Sequence, residues 1–176
     1  MKRSELEHVI RASGKIADDK QIIVIGSQSI LGEYPDAPAR LLASMESDLY
    51  PMNKPELADK VDGAIGEGSL FHAKFGYYAQ GVGPRTATLP KGWAERLVSI
   101  KNDNTDGVTG LCLEVHDLAI SKYFAGRPKD FKYIAELVLH QMINRKTLVQ
   151  RLGATNLSKD DRSRIRARIE SSFKNQ

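Results

Sequence analysis

The apolar, β-branched run QIIVI at residues 21–25 most constrains the fold, because it is followed at once by Gly26 and Ser27. Such a run is typical of a strand that is buried on both faces. Gly26 then predicts a sharp turn into the short helix SQSILGEY, which we expect to stop at Gly32. A strand that turns into a helix presents backbone N–H groups, and these attract phosphate. The simpler interpretation is a turn that needs glycine only for its backbone geometry.

A second strand is predicted by the segment ASMESDLYP, which ends at Pro51. Because alternate residues of a strand face the same side, Glu46 and Asp48 project together. Two neighbouring carboxylates repel each other unless something neutralises them. Mg²⁺ or Mn²⁺ suits such a pair, since these ions take one or two carboxylates and complete their coordination with water and substrate phosphates. The alternative is a strand face whose acids are hydrated or paired with Lys or Arg.

The remaining hydrophobic periodicity predicts an α+β fold. The N-terminal segment SELEHVIRASGK predicts a helix with Ser4 and Glu7 in capping-box spacing. A further helix, KPELADKVDGAIGEG, is followed by strands in the segments FGYYAQGV, ERLVSI and GLCLEV, and from His116 the pattern becomes helical. We therefore predict a short mixed β-sheet flanked by helices in a core of residues 1–114. A C-terminal helical region, residues 115–176, is expected to pack on that core.

The composition indicates a reduced, cytoplasmic protein. The 176 residues contain no apolar run of about 18 residues, so no membrane span is expected. The N-terminus lacks the apolar core of a signal peptide. Cys112, the single cysteine, cannot form an internal disulfide, and its apolar neighbours place it in a buried strand. We interpret Trp93, the single tryptophan, as a buried anchor beneath the sheet rather than as a base-stacking platform.

The positive charge of the chain is concentrated at its C-terminal end. The formal net charge is +4, yet from Ile143 onward nine Lys and Arg residues stand against three acids. This end therefore carries a net charge of +6 and the remainder of the chain −2. Such asymmetry indicates a polyanionic partner such as RNA for the C-terminal helices. For so short a stretch, a solvated helix face is the simpler interpretation.

The glycine–serine turn on one strand and the acid-x-acid on the next together resemble the signature of the nucleotidyltransferase superfamily, the fold of polymerase beta. This resemblance implies that the turn holds the triphosphate of a nucleotide and that Glu46 and Asp48 bind a divalent metal ion. In that superfamily a third acid on a later strand usually completes the site. Here the strand FGYYAQGV offers Gln80 instead, Glu46 stands where aspartate is usual, and EYPDAPA is inserted between the turn and Glu46.

A second motif lies in the segment LEVHDLAISKYFAGRPKD. It resembles a motif of abortive-infection-type nucleotidyltransferase toxins, and more closely that of a large bacterial family of uncharacterised proteins named as nucleotidyltransferases by their fold. The likeness runs from about residue 20 to residue 145. It implies the catalytic residues Glu46, Asp48 and Lys122, the metal ligands Glu46 and Asp48, and the nucleotide-binding residues Gly26, Ser27, Lys122, Arg127 and Asp130.

Lys122 and Arg127 each have a physical reason to lie near a nucleotide. A cationic lysine offsets the negative charge that builds on phosphoryl oxygens. Arg127 offers a bidentate donor, either for a phosphate or for Asp130. Alternatively, Asp117, Arg127 and Asp130 form structural salt bridges that tie two helices together.

The resemblance implies a Mg²⁺- or Mn²⁺-dependent enzyme that transfers a nucleoside monophosphate from an NTP to a hydroxyl of RNA, such as tRNA, or of protein. It also implies a toxin that is paired with an antitoxin partner. One alternative is a catalytically degenerate nucleotide-binding or protein-interaction module of the same fold, since the third acid is missing from its expected strand. The other is a plain RNA-binding protein that works through the C-terminal helices.

Overall fold

A five-stranded mixed sheet organises the first part of the chain. Its strands are β1 (Gln21–Val24), β2 (Glu46–Pro51), β3 (Tyr78–Gly81), β4 (Val98–Ile100) and β5 (Thr109–Cys112). They lie in the order β3-β2-β1-β5-β4. β1 pairs antiparallel with β2 and parallel with β5, while β2–β3 is parallel and β4–β5 antiparallel. The prediction of a short mixed sheet is confirmed.

Eight α-helices accompany the sheet in this computed structural model, which describes residues 1–174. The first four are α1 (Arg3–Ala17), α2 (Ile30–Glu33), α3 (Ala58–Ile65) and α4 (Leu70–Phe75). The C-terminal four are α5 (Val115–Ala125), α6 (Pro128–Leu139), α7 (Arg145–Gly153) and α8 (Lys159–Ser172). The α+β class is therefore confirmed, and only the short helix α4 is absent from the sequence-based prediction.

The chain divides into two units. The first unit comprises Met1–Thr86 and Leu97–Leu113, and so contains the sheet and α1 to α4. The second comprises Ala87–Arg96 and the residues from Glu114 onward, and so contains the four C-terminal helices. Trp93 lies in the second unit and is only half-buried, so its interpretation as a buried anchor is wrong.

The core of the first unit forms around β1. Ile22, Ile23 and Val24 are at most 2% exposed, as the apolar run predicts. α1 packs against several strands, and its Ile10 is fully buried. A Cβ added to Gly110 would lie 2.4 Å from Ile10 Cδ1. Glycine in β5 therefore lets the helix approach the sheet closely.

Two local details differ from the sequence-based prediction. α1 begins at Arg3, two residues earlier than a Ser4 cap requires, and the Glu5 carboxylate accepts a hydrogen bond of 2.6 Å from the Lys2 backbone N–H. Gly32 does not stop α2 but lies inside it. A Cβ at Gly32 would lie 2.6 Å from Cys112 Cβ, so this glycine serves close packing of the helix on β5.

Cys112 is fully buried, as predicted, and burial raises the pKa of its thiol to about 12. A thiol in such an environment stays protonated and unreactive at neutral pH. No helix within residues 1–174 combines the length and the apolar character that crossing a membrane requires.

Glu7, predicted as part of a capping box, instead holds α1 to the turn before β5. It is 4% exposed and accepts hydrogen bonds from Arg3 Nε at 2.9 Å, Asn102 Nδ2 at 2.7 Å and Asn104 Nδ2 at 2.9 Å. Burial alone would raise the pKa of Glu7, but the hydrogen bonds from Asn104, Asn102 and Arg3 lower it below its ordinary value of 4.5.

This arrangement predicts a pH-dependent contribution to stability. Because the folded-state pKa of Glu7 is depressed, its contribution is present above the unfolded-state pKa and is lost as the pH falls through the folded-state pKa. We expect Glu7→Gln to reduce the free energy of unfolding at pH 7 by about 1–2 kcal/mol. The difference from the wild type should shrink below about pH 4. Urea denaturation at a series of pH values measures both quantities, and a difference that persists unchanged at pH 3 would contradict this role.

Candidate active site

Gly26 follows β1 and lies directly against the carboxylate of Asp48. The backbone N–H of Ile25 donates to the Asp48 carbonyl oxygen at 3.0 Å, and a 3₁₀-helix, Ser27–Ser29, begins directly after Gly26. Gly26 itself has an extended backbone, with φ −83° and ψ −168°, which any residue can adopt. A Cβ at this position would lie 1.8 Å from Asp48 Oδ2 and 2.6 Å from Asp48 Cγ. Glycine is required here because the carboxylate occupies the space of a side chain.

Glu46 and Asp48 share one face of β2, as the strand alternation predicts. Both are half-buried, whereas Ser47 and Leu49, on the opposite face, are 1% and 0% exposed. Nowhere in residues 1–174 do three or more His, Cys, Asp or Glu side chains form a group able to hold a metal ion. The donor set is thus a pair of carboxylates, which fits Mg²⁺ or Mn²⁺, since these ions take their other ligands from water and substrate phosphates.

Tyr78 completes this face from the neighbouring strand. In the parallel register of β2 and β3, Tyr78 lies beside Glu46, and its hydroxyl donates to Glu46 Oε2 at 3.3 Å. Its ring is 9% exposed and contacts the His72 ring at a centroid distance of 4.6 Å. Burial, together with the charges of Glu46 and Glu67, raises the pKa of the Tyr78 hydroxyl. Tyr78 therefore remains a neutral hydrogen-bond donor that orients the Glu46 carboxylate.

Gln80 lies beside Asp48 in the same register. Its exposed side chain brings an amide to the strand on which the superfamily usually carries a third acid. Asp62, an acid earlier in the chain, accepts a hydrogen bond of 2.9 Å from the Gly81 backbone N–H and so fixes the end of β3. The sheet face thus carries two carboxylates and one amide.

The second unit brings together Lys122, Arg127 and Asp130. Asp130 is 1% exposed, and its carboxylate accepts hydrogen bonds from Arg127 Nε at 2.8 Å and from the Arg127 backbone N–H at 3.1 Å. Lys122 is 8% exposed, with Nζ 3.7 Å from Asp130 Oδ1 and 4.1 Å from the centre of the Tyr133 ring. Burial alone would raise the pKa of Asp130, but Arg127 and Lys122 lower it. The cluster ties α5 to α6, in line with the alternative of structural salt bridges.

Asp117 forms a second ionic cluster within this unit. It is 0% exposed and pairs with Arg96, whose Nε and Nη2 lie 2.8 and 3.1 Å from the two carboxylate oxygens. Arg151 Nε lies 3.0 Å from Asp117 Oδ1. Both arginines escaped the sequence-based prediction, because they come from segments far from Asp117 along the chain. Asp117 thus links α5 to α7 and to the segment Ala87–Arg96.

Many of the C-terminal cations have intramolecular partners. Arg145 pairs with Glu170 at 2.7 Å, and Arg164 pairs with Asp161 at 2.6 Å. Others donate to carbonyl oxygens, as Arg168 does to Tyr123 at 2.8 Å. The charge nevertheless separates by unit. The second unit has fifteen Lys and Arg against eight Asp and Glu, a net charge of +7, and the first has eleven against fourteen, a net charge of −3.

The predicted site residues thus fall into two groups. Gly26, Ser27, Glu46 and Asp48 lie in the first unit, and the contact between Gly26 and Asp48 joins the turn to the acid pair. Lys122, Arg127 and Asp130 lie in the second unit as one cluster. The roles of these seven residues towards a nucleotide stay predictions.

Comparison with known proteins identifies the family of the chain. No curated protein and no solved structure matches the chain. A family model described as "Nucleotidyltransferase of unknown function (DUF6036)" matches residues 4–175, which is nearly the whole sequence. The finer likeness to abortive-infection-type toxins stays a prediction. The chain belongs to this family of nucleotidyltransferases of unknown function.

Proposed function

We propose that the protein transfers a nucleoside monophosphate from an NTP to a hydroxyl of RNA, such as tRNA, or of protein, with Mg²⁺ or Mn²⁺. The observation that carries this proposal is the seating of the Asp48 carboxylate against Gly26, where a Cβ would approach Oδ2 to 1.8 Å. This contact places two features side by side. One is a turn of the kind that binds phosphate, and the other is a pair of acids of the kind that binds a divalent metal ion. Membership of a nucleotidyltransferase family supports the same reaction.

Glu46 and Asp48 would hold the metal ion. When bound, the ion would offset the charge of the two carboxylates and that of the NTP phosphates. Both side chains are half-buried, so their oxygens are within reach of solvent and of a ligand. The Tyr78 hydroxyl, 3.3 Å from Glu46 Oε2, would keep one carboxylate oriented before the ligand arrives.

The transfer itself is a displacement at the α-phosphorus. The oxygen of the acceptor hydroxyl forms a bond to this phosphorus and its proton passes to water. The bond to the bridging oxygen breaks, so pyrophosphate leaves with the electron pair. The backbone of the Gly26–Ser27 turn would bind phosphate oxygens. The resemblance assigns Lys122, Arg127 and Asp130 to nucleotide binding as well. Lys122 and Arg127 would act as cations, and Asp130 would orient both.

On the resemblance alone, we further propose a toxin that is neutralised by an antitoxin partner, and on the composition we propose that it acts in the cytoplasm. The charge of +7 on the second unit supports RNA rather than protein as the acceptor.

The alternative function is a nucleotide-binding module that has lost catalysis. Gln80, beside Asp48 in the sheet register, specifically favours it. An amide neither ionises nor accepts the proton of an attacking hydroxyl at neutral pH, so a site that depends on a third carboxylate would bind NTP without transferring it.

Label transfer from NTP tests the two functions. Purified protein is incubated with each α-labelled NTP, Mg²⁺ or Mn²⁺, and cellular RNA or protein. We expect label on one acceptor class with one preferred NTP, complete loss of labelling with a chelator, and recovery when the metal is restored.

Calorimetric titration with NTP, performed with and without metal, separates the remaining outcomes. NTP binding that requires metal, without any label, would identify the binding module. Neither label nor NTP binding would contradict both functions.

A further inference from the structure

A cavity of about 760 Å³ lies within the second unit, apart from every residue assigned above to NTP or metal. One side is formed by Pro90, Lys91 and Trp93, and the other by residues 153–156 at the end of α7 together with Arg162 of α8. Its volume falls within the range of roughly 300–1,000 Å³ that is usual for ligand pockets. It is therefore large enough for one nucleotide unit.

One hydrogen bond joins the two sides of the cavity, and others fix the second side internally. The Lys91 backbone N–H donates to the Ala154 carbonyl oxygen at 2.9 Å. Arg162 donates to the carbonyl oxygens of Leu152 at 2.7 Å and Thr155 at 2.9 Å. The cavity is thus formed before any ligand binds, which lowers the entropic cost of binding.

Trp93 gives the cavity an aromatic wall. It is half-buried and lines the cavity from a 3₁₀-turn, Trp93–Arg96. Indole rings stack on nucleobases irrespective of base type, because every base offers a π-face. Bases offer that face only where they are unpaired. The wall therefore favours a single strand over a duplex.

The charge of the cavity also favours a nucleic acid. Lys91 and Arg162 are cationic, and within the described chain none of the residues that line the cavity is acidic. The unit that contains it has a net charge of +7. An acidic protein segment would satisfy the charge but would bring no base to stack on Trp93. A polynucleotide satisfies both features.

We propose that this cavity binds one unpaired nucleotide of a single-stranded nucleic acid, with its base against Trp93 and its phosphates near Lys91 and Arg162. The strand would be the acceptor of the transfer reaction, and only this last step rests on the proposed function. Binding of the strand itself requires neither NTP nor metal.

Trp93 provides a direct probe of the site, because it is the only tryptophan in the chain. The full-length protein is titrated with a 12-nucleotide oligouridylate, and in a second arm with oligothymidylate, without NTP or metal. We expect saturable quenching of tryptophan fluorescence by one or both strands. Tighter binding of oligouridylate would show that the site recognises RNA through its 2′-hydroxyls. Equal binding would show that the site recognises only the unpaired bases and phosphates that RNA and DNA share.

Two variants locate the bound strand. Lys91→Gln removes a cation at the cavity, and we expect the slope of log K against log salt to fall in magnitude by about 0.7 for one lost phosphate contact. Lys132→Gln removes an exposed cation on α6 that does not line the cavity, and it should leave the slope unchanged. Trp93→Ala should weaken binding of the strand roughly 5- to 100-fold, as measured by the fluorescence anisotropy of a labelled strand. If Trp93→Ala does not fold, the lysine pair still decides the question.

Three outcomes would overturn the proposal: no binding of either strand, binding without fluorescence quenching, or equal effects of the two lysine substitutions. A polyglutamate peptide of equal length is tested as a competitor. If it displaces the labelled strand as effectively as the unlabelled oligonucleotide does, the surface binds an acidic protein instead. Loss of label transfer with strand binding intact would contradict the proposed enzyme and leave this site standing.

Discussion

Gly26→Ala is expected to reduce label transfer by about 100-fold or more, because a displacement of about 1 Å in a catalytic constellation can cost that much. The added Cβ would lie 1.8 Å from Asp48 Oδ2, 2.6 Å from Cγ and 2.8 Å from Cβ. No rotation of the Asp48 side chain removes the last of these contacts, so the strand or the turn must move. The rate of label transfer and the metal-dependent affinity for NTP measure the effect.

Gly63→Ala is the matched control for this substitution. It adds the same methyl group in the same unit, on α3, where nothing lies within 4 Å of the new Cβ. Activity should be unchanged, and stability should rise by roughly 0.5–1 kcal/mol, since alanine favours a helix over glycine. Asp48→Asn provides the reference for complete loss of the acid. Normal transfer by a folded Gly26→Ala protein would show that the position of the Asp48 carboxylate does not matter for the reaction.

Asp117→Asn is expected to lower the free energy of unfolding by about 3–5 kcal/mol. Asp117 is 0% exposed and pairs with both Arg96 and Arg151. Replacing its carboxylate by a neutral amide leaves the two guanidinium groups without the anion that they share. Urea denaturation at pH 7 measures the loss, with the denaturant slope checked for two-state behaviour.

The control is Asp160→Asn, which removes an exposed acid from the first turn of α8. It should change stability by less than about 0.5 kcal/mol. A loss below about 1 kcal/mol for Asp117→Asn would mean that this cluster contributes little, as exposed ion pairs do. Asp117 would then have to be reconsidered as a residue that acts on the ligand.

The parts of the fold that follow from local sequence were predictable. The run at residues 21–25 gives a buried strand because all of its side chains except that of Gln21 are apolar, and Gln21 is half-buried at the start of the strand. The alternation of β2 places Glu46 and Asp48 on one face for the same local reason. The four C-terminal helices follow from periodic apolar residues and clear caps, such as Asn144 before α7, whose side chain accepts from the Thr147 N–H.

What depends on partners distant in the sequence was not predictable. Tyr78 reaches Glu46 only through the register between β2 and β3, and nothing within either segment specifies that register. The reason for Gly26 was likewise hidden: its φ and ψ are ordinary, and the constraint comes from Asp48. The sequence predicted that Lys122 binds a phosphate, yet its ammonium group contacts Asp130 and Tyr133, which belong to the next helix.

Because β1 pairs in parallel with β5, the central strand of the sheet acquires one of its two neighbours late in synthesis. Gln21 faces Thr109 in the register, and β1 has β2 alone beside it until the chain has emerged beyond residue 112. Three of its four residues are apolar and none is charged, and such segments self-associate when a strand edge stays open. Pairings between distant residues also form slowly. We therefore expect the yield of correctly folded protein to depend on how long this edge stays open, more than on the stability of the finished sheet.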